Sequence, residues 1–124
     1  MKLKVLLRII GGVQLILGAL YLFIPMQFLA LMGHSAPNAD IAYPLGMLAA
    51  RFLAYGIGMF FIANDPEKNL FWINNMIIVQ AVDLVTGIFY TVTGVVGLSL
   101  SGFPMFNATL FIVLLALWRP KLSL

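Results

Sequence analysis

Four long hydrophobic stretches separated by short polar segments dominate the chain. They run approximately over residues 5–24, 44–63, 70–94 and 103–118. A helix of about 20 apolar residues spans a hydrocarbon core of ~30 Å, so each stretch is predicted to cross a membrane. The pattern therefore predicts a single all-α domain, an integral membrane four-helix bundle whose helices run up-down-up-down.

The polar segments predict the connections. Residues 33–43 are rich in Gly, Pro, Ser and Asn and predict an outer loop, whereas residues 64–69 (NDPEKN) predict a tight cytoplasmic turn between two antiparallel helices. Residues 25–32 are too short to cross, so they continue the first helix obliquely or lie in the outer interface. Residues 99–102 (SLSG) predict a short loop before the last span.

The helical projection of the third stretch is asymmetric, because one face is purely apolar and the other is polar, small or aromatic. In lipid the second face is expected to turn toward protein; it carries Trp72, Met76, Gln80, Asp83, Gly87, Tyr90 and Gly94. In the first stretch, Gly11, Gln14, Gly18 and Tyr21 share one face. In the second, small residues recur every four positions and predict close helix packing, as does Gly87; they are Gly46, Ala50, Ala54 and Gly58.

The strongest chemical signal is a pair of opposite charges inside two predicted spans. Arg51 and Asp83 are almost equally distant from the centre of the 64–69 turn, so in an antiparallel hairpin their Cα atoms differ in depth by only about 1–2 Å. Either charge alone at a span centre costs ~2.5–3.5 kcal/mol. We therefore expect an ion pair. It is either a structural clasp inside the bundle or part of a ligand or proton site.

Other polar residues in the spans extend this candidate site. Gln14 and Gln80 fall within apolar helices, Tyr90 shares the face of Asp83, and Asn107 lies one turn into the last span. They predict a buried polar cluster around Arg51 and Asp83, although a plain interhelical hydrogen bond also explains Gln14 and Asn107. The lone histidine lies in a loop without partners, so no metal site is predicted.

Composition and charge narrow the class of protein. Of 124 residues, 63% are hydrophobic and 9% are charged, which favours an integral membrane protein over a soluble domain. There is no cysteine, which removes thiolate sites and disulfides. The N-terminus starts like a signal peptide, but its long apolar run favours a retained first span. If the chain has four spans, nearly all basic residues fall on one side of the membrane, which places both termini in the cytoplasm. Because membrane topology explains these residues, no nucleic-acid partner is predicted. They are Lys2, Lys4, Arg8, Lys68, Arg119 and Lys121.

Several short motifs together resemble the BphX-like group within the DoxX-like collection of small four-helix membrane proteins. The resemblance covers nearly the whole chain and implies a four-helix bundle in a bacterial inner membrane, but no activity. Founding members are associated with aromatic-degradation gene clusters, and other DoxX-like proteins are linked to quinone-coupled oxidation. The matching positions are Pro25, Met32–Gly33, Arg51, Asp65–Pro66, Trp72–Ile73, Met76, Gln80, Asp83, Gly87, Tyr90, Phe103–Pro104, Asn107 and Trp118–Arg119–Pro120–Lys121.

Three functions fit these observations. We favour a non-catalytic accessory subunit or binding module, with the Arg51–Asp83–Gln80 region as a polar anchor for a quinone, lipid or aromatic compound. Its partners would be membrane lipid and a larger membrane complex or further copies of the chain. The alternatives are a quinone-linked enzyme or redox component in which Asp83 moves protons, and a small oligomeric transporter.

Overall fold

A computed structural model describes residues 2–120, which contain five α-helices and no strand. The all-α class is therefore confirmed for this range. Single 3-10 turns cover Ala39–Ile41 and Pro66–Lys68. Lys121, one of the basic residues in the predicted topology, lies outside the described residues. The helices are α1 (Lys2–Phe23), α2 (Pro25–Leu31), α3 (Ala42–Ile62), α4 (Leu70–Val92) and α5 (Leu98–Trp118).

Four of these helices are long and apolar enough to cross a membrane. They are α1, α3 together with its preceding turn, α4 and α5. This agrees with the four hydrophobic stretches in the sequence and is typical of a multi-pass membrane protein. The order of crossing and the cytoplasmic position of the termini stay predictions.

A bend at Ile24 separates α1 from α2. Proline disfavours the helical conformation in the residue before it, and Ile24 accordingly has φ −135° and ψ 53°. Pro25 then occupies the first turn of α2, where its missing N–H has no intrahelical role. Because the Phe28 amide still donates to the Ile24 carbonyl at 2.9 Å, residues 25–31 continue the helical path after the bend.

The prediction of a loop at residues 99–102 was wrong, because α5 begins at Leu98 and includes this segment. Gly97 is extended before the helix (φ −82°, ψ 159°), and the Ser101 hydroxyl donates to its carbonyl at 3.2 Å. The sequence interpretation placed Pro104 at the first turn, whereas the structure places it inside α5. Proline there removes one backbone hydrogen bond, which helices in apolar surroundings tolerate when neighbouring groups compensate.

The C-terminal end of α4 is set by a glycine. Gly94 has φ +81°, a left-handed conformation that side chains disfavour, and its amide donates to the Thr91 carbonyl at 3.2 Å. The next amide, of Val95, donates to the Tyr90 carbonyl at 3.0 Å. Helix α4 therefore ends at Val92, slightly before the predicted limit of the third span.

The chain divides into two compact units. The α1–α3 unit comprises Leu7–Ala63. The α4–α5 unit comprises the residues up to Leu6 together with those from Asn64 onward. In the α1–α3 unit, a Cβ added to Gly11 or to Gly56 would lie 3.0 Å from the carbonyl oxygen of the other glycine. The backbones of α1 and α3 therefore approach each other directly, as small residues permit in membrane helices.

The predicted stripe of small residues on α3 is not the face that packs against α1. A Cβ added to Gly46 or Gly58 would meet no atom of residues 2–120 within 4 Å, and Ala50 and Ala54 are exposed. The face of α3 that packs against α1 is therefore rotated from this stripe. Besides Gly56, the residues of α3 that face α1 are Ala49, Leu53 and Phe60.

The α4–α5 unit is a helical hairpin with an apolar interior. A Cβ added to Gly87 would lie 2.7 Å from the Met105 side chain, so the two helices are in close contact there. At the far end of the hairpin, the Arg119 guanidinium donates to the Asn74 amide oxygen at 2.6 Å, and the Lys2 ammonium lies 5.8 Å from the centre of the Trp118 ring. The buried apolar side chains of α4 and α5 are Ile73, Met76, Ala108, Phe111 and Leu115.

Candidate functional site

Gln80 is a buried amide on α4, within the α4–α5 unit. It is 4% exposed, and the neighbouring side chains Ile73 and Met76 on the same face of α4 are completely buried. The amide nitrogen Nε2 donates to the Met76 sulfur Sδ at 3.4 Å. Because these residues are one turn apart, the contact is built into the α-helix itself.

The acceptor used by Gln80 is a weak one. A thioether sulfur accepts hydrogen bonds poorly, whereas a carbonyl oxygen offers two lone pairs. An amide buried in apolar surroundings gains most from a strong partner, because water does not compete for it. The Gln80 amide therefore has a weaker acceptor in Met76 than a carbonyl oxygen would provide.

The predicted polar face of α4 divides into an inner part and an exposed flank. Met76 and Gln80 are buried, whereas Asp83 and Tyr90 are exposed on the chain surface, as is Trp72. The Tyr90 ring packs edge-on against Phe89, with 5.2 Å between ring centres.

An apolar depression lies on α4 beyond Asp83, toward the end of the helix. It is lined by side chains from successive turns, all of them apolar except one hydroxyl group: Val85, Ile88, Phe89, Val92 and Thr93. The Thr93 hydroxyl donates to the Phe89 carbonyl at 2.8 Å, so it is used within the helix. The depression therefore offers an apolar surface for a hydrocarbon chain or ring.

The α1–α3 unit carries the remaining charged candidate. Arg51 is exposed on α3, and its Nη1 donates to the Met47 carbonyl one turn earlier at 2.8 Å. Gln14 on α1 is 4% exposed. Arg51 and Asp83 belong to different units, and the ion pair between them stays a prediction.

Sequence reasoning missed a pair of hydroxyl groups that joins α4 to α5. Thr91 Oγ1 and Ser101 Oγ lie 2.6 Å apart, and Thr91 also donates to the Gly87 carbonyl at 2.6 Å. The signal was present, because Thr91 and Ser101 are equidistant from Val96 and so lie at equal depth in a hairpin. Because residues 99–102 were expected to form a loop, Ser101 was not recognised as a helical residue opposite Thr91.

The other predicted site residues are placed separately. Asn107 is half-buried on α5, and the lone histidine, His34, is partly buried after α2. Within residues 2–120, no group of three or more His, Cys, Asp or Glu side chains could hold a metal ion. Among the predicted site residues of the α4–α5 unit, Gln80 is therefore the one that combines deep burial with a weak hydrogen-bond partner.

No protein-family model, curated protein or solved structure matches this chain. The resemblance to the BphX-like group, with the fold and setting that it implies, stays a prediction.

Proposed function

We propose that this protein is a non-catalytic membrane module that binds a hydrophobic small molecule carrying a carbonyl group, with a quinone as the type of ligand. It would act in a bacterial inner membrane with both termini in the cytoplasm, either alone or as an accessory subunit of a larger complex. A lipid or aromatic compound with a carbonyl group shares the same chemistry.

One observation carries this proposal: the Gln80 amide is 4% exposed within an apolar hairpin and donates to a thioether sulfur at 3.4 Å. A quinone carbonyl is a stronger hydrogen-bond acceptor than a thioether sulfur, and its carbon is part of an apolar ring. Exchanging the weak partner for the stronger one favours binding. Such a ligand needs apolar walls and few polar contacts, which is the composition of this part of the chain.

Neighbouring groups support the same ligand class. Asp83 lies one turn beyond Gln80 on α4, and Tyr90 lies two turns further on the same flank. Because a glutamine amide neither gains nor loses a proton near neutral pH, Gln80 is suited to binding and orientation, and this favours a binding protein over an enzyme.

Fluorescence titration with decylubiquinone, a short-chain quinone, tests the proposal on the purified full chain in lipid nanodiscs. Trp72 lies about two turns from Gln80 on α4, so a quinone bound there should quench its emission saturably. A hydrogen bond contributes ~0.5–1.5 kcal/mol, so Gln80→Leu should weaken binding about two- to tenfold. Gln27→Leu is the matched control, because Gln27 is exposed on α2.

The titration has two outcomes that contradict the proposal. Quenching of the unaltered protein that rises linearly without saturation would show partitioning into lipid and no site. Equal dissociation constants for the unaltered protein and Gln80→Leu would show a site that does not use this amide. Loss of affinity in Gln80→Leu with no loss in Gln27→Leu is the expected result.

A further inference from the structure

Two opposite charges are exposed within helices that are apolar enough to span a membrane. Arg51 lies near the middle of α3, and Asp83 lies near the middle of α4. Both side chains are exposed on the chain surface. Ionisable groups at this depth are unfavourable in hydrocarbon unless they face protein or water and find a partner of opposite charge.

We propose that copies of this chain associate in the membrane, with Asp83 of one copy paired with Arg51 of a neighbouring copy. Arg51 and Asp83 carry opposite charges and are predicted to lie at the same depth in the membrane. The two residues are equidistant from Glu67, in the turn between α3 and α4, so parallel copies in one bilayer would present them at the same level. A contact of this kind either closes as a two-fold dimer or continues into a ring.

The hydrogen bonding of Arg51 leaves capacity for this pairing. Its Nη1 group donates to the Met47 carbonyl, which holds the guanidinium in place. An arginine side chain has five N–H donors, so the remaining ones can receive a carboxylate in a two-point contact. A carboxylate arriving from a second copy would then meet a guanidinium that is already oriented.

The surface around Arg51 permits close approach by a second copy. Ala50 and Ala54 are exposed beside it, and a Cβ added to Gly46 or Gly58 would meet no atom of residues 2–120 within 4 Å. These small residues do not define the contact, but they let a neighbouring helix come near enough for a carboxylate to reach the guanidinium. The inference does not depend on the ligand proposed above.

Cysteine cross-linking tests the contact directly, because the chain has no cysteine of its own. One tagged copy carries Leu48→Cys and a differently tagged copy carries Thr86→Cys. Both positions are exposed, lie one turn from Arg51 and Asp83, and are at equal distances from the α3–α4 turn. The proposal predicts a disulfide joining the two tags in native membranes, and none when Ile16→Cys, an exposed position on α1, replaces Leu48→Cys.

Charge substitutions distinguish a contact between copies from one within a copy. Arg51→Leu in every copy, or Asp83→Leu in every copy, should reduce the cross-linked fraction about tenfold, because each removes the pair and leaves one charge without its partner. Mixing an Arg51→Leu copy that carries Thr86→Cys with an Asp83→Leu copy that carries Leu48→Cys restores one pair. The cross-link should then return.

Each unfavourable outcome overturns the inference. If the protein stays monomeric in nanodiscs and forms no cross-link between positions 48 and 86, these charges contact lipid or another protein and not a second copy. A cross-link that is equally strong in both single variants shows association without the pair. Loss in both variants without recovery in the mixture assigns the pair to a single copy. Quinone titration remains a separate measurement, so failure here leaves the ligand proposal to its own test.

Discussion

The contact between Gly11 and Gly56 makes a quantitative prediction about the stability of the α1–α3 unit. In Gly56→Ala, the new Cβ would lie 2.7 Å from Leu15 Cγ and 3.0 Å from the Gly11 carbonyl oxygen. The leucine side chain can change rotamer, but the carbonyl belongs to the backbone of α1 and moves only with the helix. The two helices must therefore separate, or the leucine must leave its place.

The expected magnitude follows from two opposing effects. Inserting a methyl group into a packed contact typically costs about 1–3 kcal/mol, whereas replacing glycine by alanine inside a helix contributes up to about 1 kcal/mol of stability. Gly58→Ala is the matched control on the same helix, since its new Cβ would meet no atom within 4 Å of the described residues. We therefore expect Gly56→Ala to be less stable than Gly58→Ala by about 1–3 kcal/mol.

Thermal unfolding in one detergent, followed by circular dichroism, measures the difference. A difference of 1 kcal/mol shifts the midpoint by about 4–8 °C in a domain of 60–100 residues, and by somewhat less in a longer chain. Gly56→Ala should unfold several degrees below Gly58→Ala and no higher than the unaltered protein. Equal midpoints for the two variants would refute the direct backbone contact between α1 and α3.

Three further predictions concern the α4–α5 unit and the membrane topology. Gly87→Ala should lower the midpoint less than Gly56→Ala in the same assay, because its new Cβ meets the flexible Met105 side chain and no backbone atom; an equal or larger loss would contradict this. Thr91→Val and Ser101→Ala should show a coupling of roughly 0.6 kcal/mol in a double-mutant cycle, and strict additivity would remove the hydroxyl pair as a stabilising contact. A C-terminal fluorescent-protein fusion should fluoresce and an alkaline-phosphatase fusion should be inactive, whereas the reverse would place the C-terminus outside.

The topology prediction has support from one end of the α4–α5 unit. Lys2 lies near Trp118, and Arg119 bonds Asn74 in the first turns of α4, shortly after Lys68. Three of the predicted cytoplasmic basic residues therefore lie at the same end of this hairpin. The loop at its other end carries no lysine or arginine, as the positive-inside rule expects for an outer loop.

Depth along the helices was predictable from the sequence, but rotation about their axes was not. The hairpin argument that equates the depths of Arg51 and Asp83 also matches Thr91 with Ser101, which are in contact across the α4–α5 hairpin. Counting from a turn is sufficient, because each residue adds the same rise. Which arc of a helix is covered depends on its partner, so Asp83 and Tyr90 were placed inward and are exposed.

The packing faces show the same limit. The repeat of small residues on α3 predicts a packing face for a neighbouring helix, whereas the contact with α1 uses Gly56, which lies outside that repeat. The start of α5 was also predicted too late, because Pro104 was assigned to the first turn of the helix. Proline is common in the first turn of a helix, yet the structure places it well inside α5, because no residue between Leu98 and Ser101 prevents a helix.

If Gln80 binds a hydrophobic molecule with a carbonyl group, mass spectrometry of the organic extract of the purified protein should detect that molecule. The unaltered protein, Gln80→Leu and Gln27→Leu would be isolated in parallel from the same membranes in a mild detergent. We expect one such compound to be enriched near stoichiometry with the unaltered protein and with Gln27→Leu, and to be depleted with Gln80→Leu. No enriched compound, or equal amounts from all three proteins, would contradict it.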